Sequence, residues 1–348
     1  MDEVSMIGLD TSKSVFEVHG TNSRGEEKLK RSLKRSAVIG FFEKLPKCTV
    51  ALEACGCSHQ WGRELMALGF KVLLVPPPFV KRFLNGRRKT DARDAKALAL
   101  AGLSAELRAV PVKGVAAQAC GLSLKVRDLL VRQSTQTGNS LRGLLAEFGH
   151  VAAKGDAGLA GLIARLEAGE LAVPAIALEA FAVLVKQWHR LGAEIAALSK
   201  AIVARAKADP VISRLMAVPG VGPLTATAFV LKVADPKRFD SARQCSAWLG
   251  MAPNEHSTAG KRRLGRITKE GDEGVRRLLV LGAATVLIRA RRSPQTARPW
   301  VRGILQRRPF KVAAVALAAR NARTLWALLA RGTDYMPAKG HPVKEITA

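Results

Sequence analysis

Acidic residues are scarce in this sequence of 348 residues. Lys and Arg number 56 against 28 Asp and Glu, so the formal net charge is +28 and the isoelectric point lies near 10.7. An excess of this size destabilises a compact fold by self-repulsion unless a polyanion neutralises it. The composition therefore predicts nucleic acid as a partner.

Long apolar runs are missing as well. We find no run near the roughly 18 residues that are needed to span a bilayer. The start, MDEVSMIGLD, places acids where a secretory signal has basic residues. Hydrophobic residues still make up 48% of the chain, enough to bury a real core. We therefore expect a folded protein that has no membrane partner.

Cysteines are few, odd in number and scattered. Of the five, Cys55 and Cys57 form a close pair, but the sequence has no second pair that would complete a zinc site. Reduced thiols in a cytosolic protein are the expected state.

The first hundred residues alternate strand and helix signals. Apolar runs and alternating patterns predict strands at 4–10, 14–20, 26–32, 48–54 and 71–78, with helices at 36–45 and 60–70. Three strands followed by helix, strand, helix, strand and further helices describe a mixed α/β domain.

The pattern then becomes helical. Residues 176–208 keep apolar positions at three- and four-residue spacing, which predicts a long helical hairpin or coiled coil. The Gly- and Ala-rich stretch 152–161 is expected to form the turn between its two arms.

A helix-hairpin-helix is predicted around residues 215–231. Gly220 and Gly222 allow a tight turn between apolar helical stretches, and the following helix N-terminus can offer N–H groups to a phosphate. A plain turn between two helices is the alternative. Residues 255–331 contain 18 Lys and Arg but four acids, a density that argues for phosphate contacts.

Two aspartates interrupt this basic chain. Asp91 and Asp94 follow Arg87, Arg88 and Lys89, which are candidate nucleic-acid contacts, and Thr90 is a plausible N-cap for the helix that carries the aspartates. Positions three apart share one helical face, where like charges repel unless something positive lies between them. Each aspartate could pair with Arg93 or Lys96 on a solvated surface, or both could bind a divalent metal.

Two further carboxylates are expected close to these aspartates. Asp10 ends the first predicted strand and Glu53 the fourth. If these strands are neighbours in the sheet their ends converge, and a following helix can deliver Asp91 and Asp94. Oxygen-only clusters suit Mg²⁺ or Mn²⁺, and two such ions can clamp the attacking and leaving oxygens of a phosphodiester.

The order Asp, Glu, Asp-x-x-Asp resembles RuvC-like nucleases, and the whole pattern resembles the DEDD insertion-sequence transposases of the IS110 family, which are bridge-RNA-guided recombinases. The matching stretches run in family order and cover most of the chain: IGLDTSK (7–13), ALEACG (51–56), KTDARDAKALA (89–99), VPGVGPLTA (218–226) and the segment 239–272.

This resemblance implies a catalytic serine shortly after the step Gly250-Met251-Ala252-Pro253. Ungapped alignment back from RITKEG places it on Ser257, with Thr258 as the alternative. A serine that attacks phosphorus needs a proton acceptor and a cationic field. His256 is adjacent as a possible general base. Several cations follow as candidate nucleic-acid contacts: Lys261, Arg262, Arg263, Arg266 and Lys269.

The resemblance also implies a site shared between protomers. Asp10, Glu53, Asp91 and Asp94 of one protomer would bind the metal, and the serine of another would attack DNA and form a phosphoserine link. The implied partners are donor and target DNA, a structured noncoding guide (bridge) RNA, and a homodimer that assembles into a tetramer. The implied location is the bacterial cytoplasm, associated with the nucleoid.

The expected architecture is therefore α/β plus α. Residues 1–110 would form an RNase H-like (RuvC-like) mixed-sheet DEDD domain and 111–208 a helical, coiled-coil linker and dimerisation region. A mostly helical transposase domain with the helix-hairpin-helix and the serine would follow at 209–335, with a tail at 336–348.

Two other functions fit parts of the sequence. A RuvC-type metal-dependent nuclease or junction resolvase would use water as the nucleophile, leaving Ser257 structural, but it has no use for the long segment around that serine. A non-catalytic helix-hairpin-helix protein that binds nucleic acid would not need all four carboxylates. A tyrosine recombinase is disfavoured because Tyr335 is the one tyrosine.

Overall fold

The computed structural model describes residues 4–84, 90–258, 260–261 and 263–336. The chain divides into two compact units, Met1–Gln118 and Ala119–Ala348. The finer division expected at residues 110, 208 and 335 stays a prediction.

A five-stranded mixed sheet forms the centre of the first unit. Its order is β3-β2-β1-β4-β5, where the strands are β1 (Met6–Asp10), β2 (Val15–Thr21), β3 (Glu27–Lys34), β4 (Thr49–Glu53) and β5 (Lys71–Val75). The first three strands are antiparallel, and β4 runs parallel to both β1 and β5. This confirms the predicted mixed α/β unit and the predicted contact between the first and fourth strands.

Helices cover both faces of the sheet. Helices α1 (Val38–Glu43) and α2 (Ser58–Ala67) share a core with the β1 side chains Ile7 and Leu9. After the short α3 (Pro77–Val80), helix α4 (Asp91–Leu103) packs against β1, β2 and β4. Its core joins Met6 and Ala51 to apolar residues of α4 itself, Ala97, Leu98, Ala99 and Ala101.

Gly8 permits the close approach of α4. Successive side chains of a strand alternate between faces, so Met6, Gly8 and Asp10 share the face that α4 covers. A Cβ at Gly8 would lie 1.9 Å from the carbonyl oxygen of Ala95 and 2.5 Å from the amide nitrogen of Ala99. The missing side chain therefore sets the distance between the sheet and the start of α4.

Three helices form the first part of the second unit. Helix α5 (Val115–Glu147) begins just before this unit and continues into it, followed by α6 (Asp156–Glu167) and α7 (Ala175–Ala208). Leu141, Leu159, Leu162 and Phe181 meet in their shared core. The turn predicted at 152–161 is wrong, because α6 begins inside it. Its alanines and leucines favour a helix strongly enough to accommodate Gly158 and Gly161.

A second core gathers the remaining helices. They are α8 (Pro210–Met216), α9 (Pro223–Val233), α10 (Ala242–Trp248), α11 (Glu273–Arg292), α12 (Pro299–Arg307) and α13 (Phe310–Arg331). Between α10 and α11 lies a two-stranded antiparallel hairpin of β6 (Pro253–Glu255) and β7 (Leu264–Ile267).

Helix α13 corrects one expectation from the sequence. By length and composition it is apolar enough to cross a membrane, although no such run was expected. Half of it is buried, and it packs against α10 and α11. Its buried face includes Leu317, Ala318 and Leu325. The helix is therefore apolar because it belongs to the protein core.

Candidate metal centre and serine hairpin

Three carboxylates meet where β1 ends and α4 begins. Asp10 is the last residue of β1, while Asp91 and Asp94 lie in the first turn of α4. One oxygen from each lies within 4.8 Å of the other two. The helix begins as expected, with Thr90 at the N-cap position in an extended conformation, although its side chain makes no capping hydrogen bond. The structure thus unites aspartates separated by about 80 positions in the sequence.

Glu53 lies near the three clustered aspartates but is not part of the cluster. It ends β4, and the parallel register pairs Leu9 with Leu52, so Asp10 and Glu53 follow at the same edge of the sheet. Its charge contributes to the raised pKa of Asp10, which shows that the two carboxylates interact. Among the described residues, the tight cluster itself contains the other three predicted acids.

The electrostatics of the cluster favour a cation. Burial is the largest cause that raises the pKa of Asp10 to about 6, followed by the charges of Asp94, Asp91 and Glu53. The backbone hydrogen bond at Thr11 acts in the opposite direction. Like charges held this close disfavour ionisation of each other. Hard oxygen donors in such a group are the ligands that Mg²⁺ and Mn²⁺ prefer.

Two thiols, Cys55 and Cys57, lie next to this centre, a proximity that their spacing in the sequence did not predict. The hydroxyl of Thr11 is 3.4 Å from the sulfur of Cys57 and 3.7 Å from that of Cys55, and the two sulfurs are 3.6 Å apart. All five cysteines are free, as predicted. Burial raises the pKa of the Cys57 thiol.

Ser257 lies in the exposed loop between β6 and β7. Its hydroxyl donates a hydrogen bond to Oε1 of Glu255 at 2.6 Å and accepts one from the backbone N–H of Arg263 at 3.1 Å. Within the described part of the hairpin, the His256 side chain is not a partner of this hydroxyl. Sequence adjacency pointed to His256 and missed Glu255. Positions i and i+2 of an extended chain point the same way, which explains why Glu255 and not His256 reaches the hydroxyl.

Backbone pairing holds this loop in place. His256 N–H donates to the carbonyl of Arg263 at 2.9 Å, and Glu255 lies opposite Leu264 in the strand register. At the base of the hairpin, Thr268 N–H donates to Ala252 at 2.9 Å. The ladder therefore fixes the backbone on both sides of Ser257.

Several predicted nucleic-acid contacts are exposed on or beside the same hairpin. Lys261 and Arg263 lie in its loop, Arg266 on β7, and Lys269 just beyond it. Thr258, the alternative nucleophile, accepts the Lys261 N–H on its carbonyl at 3.0 Å. The predicted contacts Arg87, Arg88, Lys89 and Arg262 lie outside the described residues.

The glycine turn predicted to bind phosphate connects α8 to α9. Gly220 has φ +84° and packs so closely on α11 that a Cβ there would lie 2.7 Å from the Gly282 carbonyl oxygen. Asn321, almost fully buried on α13, donates to the carbonyl of Pro219 at 3.0 Å. Gly222 is the N-cap of α9. Packing alone therefore explains Gly220, and phosphate binding at this turn stays a prediction.

Comparison with known proteins assigns both units to one group. Residues 7–150 match the DEDD transposase model of the IS110 group, and residues 212–300 match the model described as Transposase IS116/IS110/IS902 family. A "Probable family 20 transposase" of Pseudomonas aeruginosa is 44% identical over 96% of this chain and 99% of its own length. The "Transposase for insertion sequence element IS1111A" of Coxiella burnetii is 33% identical over 96% and 92%, respectively. The IS1328 transposase of Yersinia enterocolitica is 32% identical over 96% and 99%.

Proposed function

Because this chain belongs to the IS110/IS116 family of insertion-sequence transposases, we propose that it cuts and rejoins DNA through Ser257, assisted by a divalent metal bound at its four acidic residues. Members of this family catalyse DNA strand cleavage and transfer. The observation that carries the proposal is the convergence of Asp10, Asp91 and Asp94 to within 4.8 Å.

The donor set fits the proposed metal. Asp10, Asp91 and Asp94 would be its ligands, and Glu53 would join them from the neighbouring strand. A bound Mg²⁺ or Mn²⁺ would relieve the repulsion that raises the pKa of Asp10. Such an ion stabilises the negative charge that develops on phosphate oxygens during strand transfer. The RNase H-like assignment of the sheet, which the DEDD match suggests, is consistent with this role.

Ser257 is the proposed nucleophile. Its hydroxyl is exposed on a hairpin whose ladder fixes the backbone, and Lys261, Arg263 and Arg266 supply positive charge around it. Those cations favour the approach of a phosphodiester and the negative charge of its transition state. Attack would form a bond between the serine oxygen and phosphorus, with departure of one deoxyribose oxygen.

The two halves of the site belong to different units of the chain, and we propose that they act together between protomers. The acidic cluster lies in the first unit and Ser257 in the second. In the proposed assembly, dimers form a tetramer on donor and target DNA. A structured noncoding bridge RNA from the element selects both DNA sites by base pairing, and part of the +28 charge contacts that RNA.

A covalent-adduct assay tests the nucleophile. The protein is incubated with Mg²⁺, RNA transcribed from the element's noncoding flank and labelled duplex DNA carrying the element junction, and adducts that survive denaturation are counted. We expect an adduct with the native protein and none with Ser257→Ala. The matched control Thr258→Ala, which alters the neighbouring hydroxyl, should keep the adduct.

Three other results would reject this assignment. An adduct in Ser257→Ala but not in Thr258→Ala would move the nucleophile to Thr258. Hydrolytic cleavage without any adduct, equal in the native protein and both variants, would favour a RuvC-type nuclease. Binding of DNA without cleavage by the native protein would favour a non-catalytic nucleic-acid-binding protein.

A further inference from the structure

We infer that Glu255 is the general base for Ser257, an inference that rests on the proposed serine chemistry. The carboxylate Oε1 accepts the Ser257 hydroxyl proton in a hydrogen bond of 2.6 Å. A general base has to lie within hydrogen-bond reach, about 2.6 to 3.2 Å, of the proton that it removes. Glu255 satisfies this condition before any substrate is bound.

Hairpin geometry determines which side chain reaches the serine. Glu255 is the last residue of β6 and pairs with Leu264, so its backbone is fixed by the ladder. Ser257 lies two positions further, on the same side of the extended chain. His256, between them, places its ring 3.7 Å from where a Cβ at Gly265 would lie, and its backbone N–H donates to the Arg263 carbonyl. The carboxylate and not the imidazole is therefore paired with the hydroxyl.

The remaining hydrogen bond orients the serine oxygen. The backbone N–H of Arg263 donates to Oγ at 3.1 Å and occupies one of its two lone pairs. With the proton directed at Glu255, the second lone pair is available to attack phosphorus. A hydroxyl held by one donor and one acceptor has lost most of its rotational freedom before the substrate arrives.

The proton balance follows from this arrangement. As the bond between Oγ and phosphorus forms, the hydroxyl proton passes to Glu255, and the departing deoxyribose oxygen takes a proton from water. In the rejoining step an incoming deoxyribose hydroxyl attacks the phosphoserine and loses its proton to water. The neutral carboxylic acid of Glu255 returns its proton to Oγ as that oxygen leaves. No oxidant or further reactant is required.

Local charge makes a carboxylate tolerable at this position. An anion beside a phosphodiester repels it, but Lys261, Arg263 and Arg266 are exposed on the same hairpin. Among the described residues of the hairpin, these three cations outnumber the one carboxylate and leave it attractive to DNA. Proton transfer to Glu255 then removes the negative charge as the phosphorus centre becomes more negative.

The rate of adduct formation tests this role in the full-length protein with Mg²⁺, element RNA and junction DNA. Glu255→Gln keeps the size and an acceptor oxygen but cannot take up a proton. We expect its rate to fall about 100-fold or more, since general bases contribute roughly 10²- to 10⁴-fold. Glu270→Gln removes an equal charge from an exposed position just beyond β7 and should stay within about twofold of the native rate, because it leaves the base in place.

Chemical rescue separates a base from a residue that only positions the serine. Added formate should raise the rate of Glu255→Ala, because a small carboxylate can enter the vacated space, and should not change Ser257→Ala. If Glu255→Gln forms the adduct slowly but formate does not raise the rate of Glu255→Ala, then Glu255 only positions the serine. That result would overturn the inference.

Two outcomes distinguish a failure of the Glu255 inference from a failure of the proposed function, in which Ser257 is the nucleophile. If Ser257→Ala forms no adduct while Glu255→Gln matches Glu270→Gln, the serine stands and Glu255 is not its base. If Ser257→Ala still forms the adduct, both the nucleophile and its base are wrong.

Discussion

At the scale of single residues, Asp10 is a proposed metal ligand whose pKa also affects the stability of the fold. Burial of its carboxylate, together with the charges of Asp94, Asp91 and Glu53, raises its pKa to about 6. The folded protein therefore holds the Asp10 proton more tightly than the unfolded chain, where the ordinary value is 3.8. The contribution of this group to stability is complete below pH 3.8 and is lost as the pH rises through 6.

Asp10→Asn should accordingly stabilise the protein when no divalent cation is present. The substitution removes a carboxylate that is unfavourable when charged, so the gain in melting temperature should be larger at pH 8 than at pH 4.5. Differential scanning calorimetry in EDTA at both pH values measures it. An equal gain at the two pH values would contradict the raised pKa.

Mg²⁺ provides the complementary measurement on the same variant. A ligand that binds the folded state alone raises its melting temperature. The native protein should respond to Mg²⁺ at pH 8, and Asp10→Asn should respond much less. An unchanged response in the variant would remove Asp10 from the metal site.

The sequence identified the residues of the acidic cluster better than those around Ser257. Asp10, Asp91 and Asp94 were predicted because the ends of neighbouring strands and an i, i+3 helical pair can meet at one edge of a sheet, and the family resemblance pointed to the same residues. Glu255 was not predicted, because His256 is the neighbour of Ser257 in sequence, whereas an extended strand brings together residues two apart. Side-chain direction in a hairpin depends on register, which β6 and β7 are too short to reveal in sequence.

At the scale of elements, the packing of α4 against β1 is the contact that forms the acidic cluster. It places Asp91 and Asp94 beside Asp10, and it depends on the absence of a side chain at Gly8. The strands of the first unit were predicted to within a few residues, since all but the largely charged β3 are short apolar or alternating runs. The separation between sheet and helix was not predictable, because it depends on one glycine that no periodic pattern singles out.

Gly8→Ala should displace or unfold α4. Its Cβ would lie 1.9 Å from a backbone oxygen that cannot move independently, so we expect a loss of about 3 kcal/mol or more in the free energy of unfolding. Urea denaturation measures this loss. Gly40→Ala in α1 is the matched control, since nothing lies within 4 Å of its added Cβ, and it should be neutral or stabilise by about 0.4 to 1 kcal/mol. Equal midpoints for the two variants would contradict the proposed packing.

The helical region shows where element prediction failed. Gly155, Gly158 and Gly161 suggested a turn, yet α6 occupies Asp156–Glu167 and buries Leu159, Leu162 and Leu166. Burial of these leucines against α5 and α7 outweighs the helix cost of two glycines, about 1 kcal/mol each. Tertiary packing of this kind cannot be read from local composition.

At the scale of the whole molecule, charge and the proposed catalytic groups are distributed unequally. The carboxylates that would bind metal belong to the first unit, whereas Ser257 and the stretch that carries half of the +28 charge belong to the second. The excess of Lys and Arg predicted a nucleic-acid partner, and DNA is the partner expected of a member of this transposase family. Sequence composition could not indicate the two-unit division, which depends on contacts between distant residues.

The most direct measurement of the central claim, that metal and serine cooperate between protomers, uses two inactive variants of different mass. Asp94→Asn and Ser257→Ala are each expected to form no adduct alone, because each lacks one half of the site. When the two are co-expressed and supplied with Mg²⁺, element RNA and junction DNA, an adduct should appear on the Asp94→Asn polypeptide, which keeps Ser257. A co-expressed pair that forms no adduct, while the native protein does, would contradict a site shared between protomers.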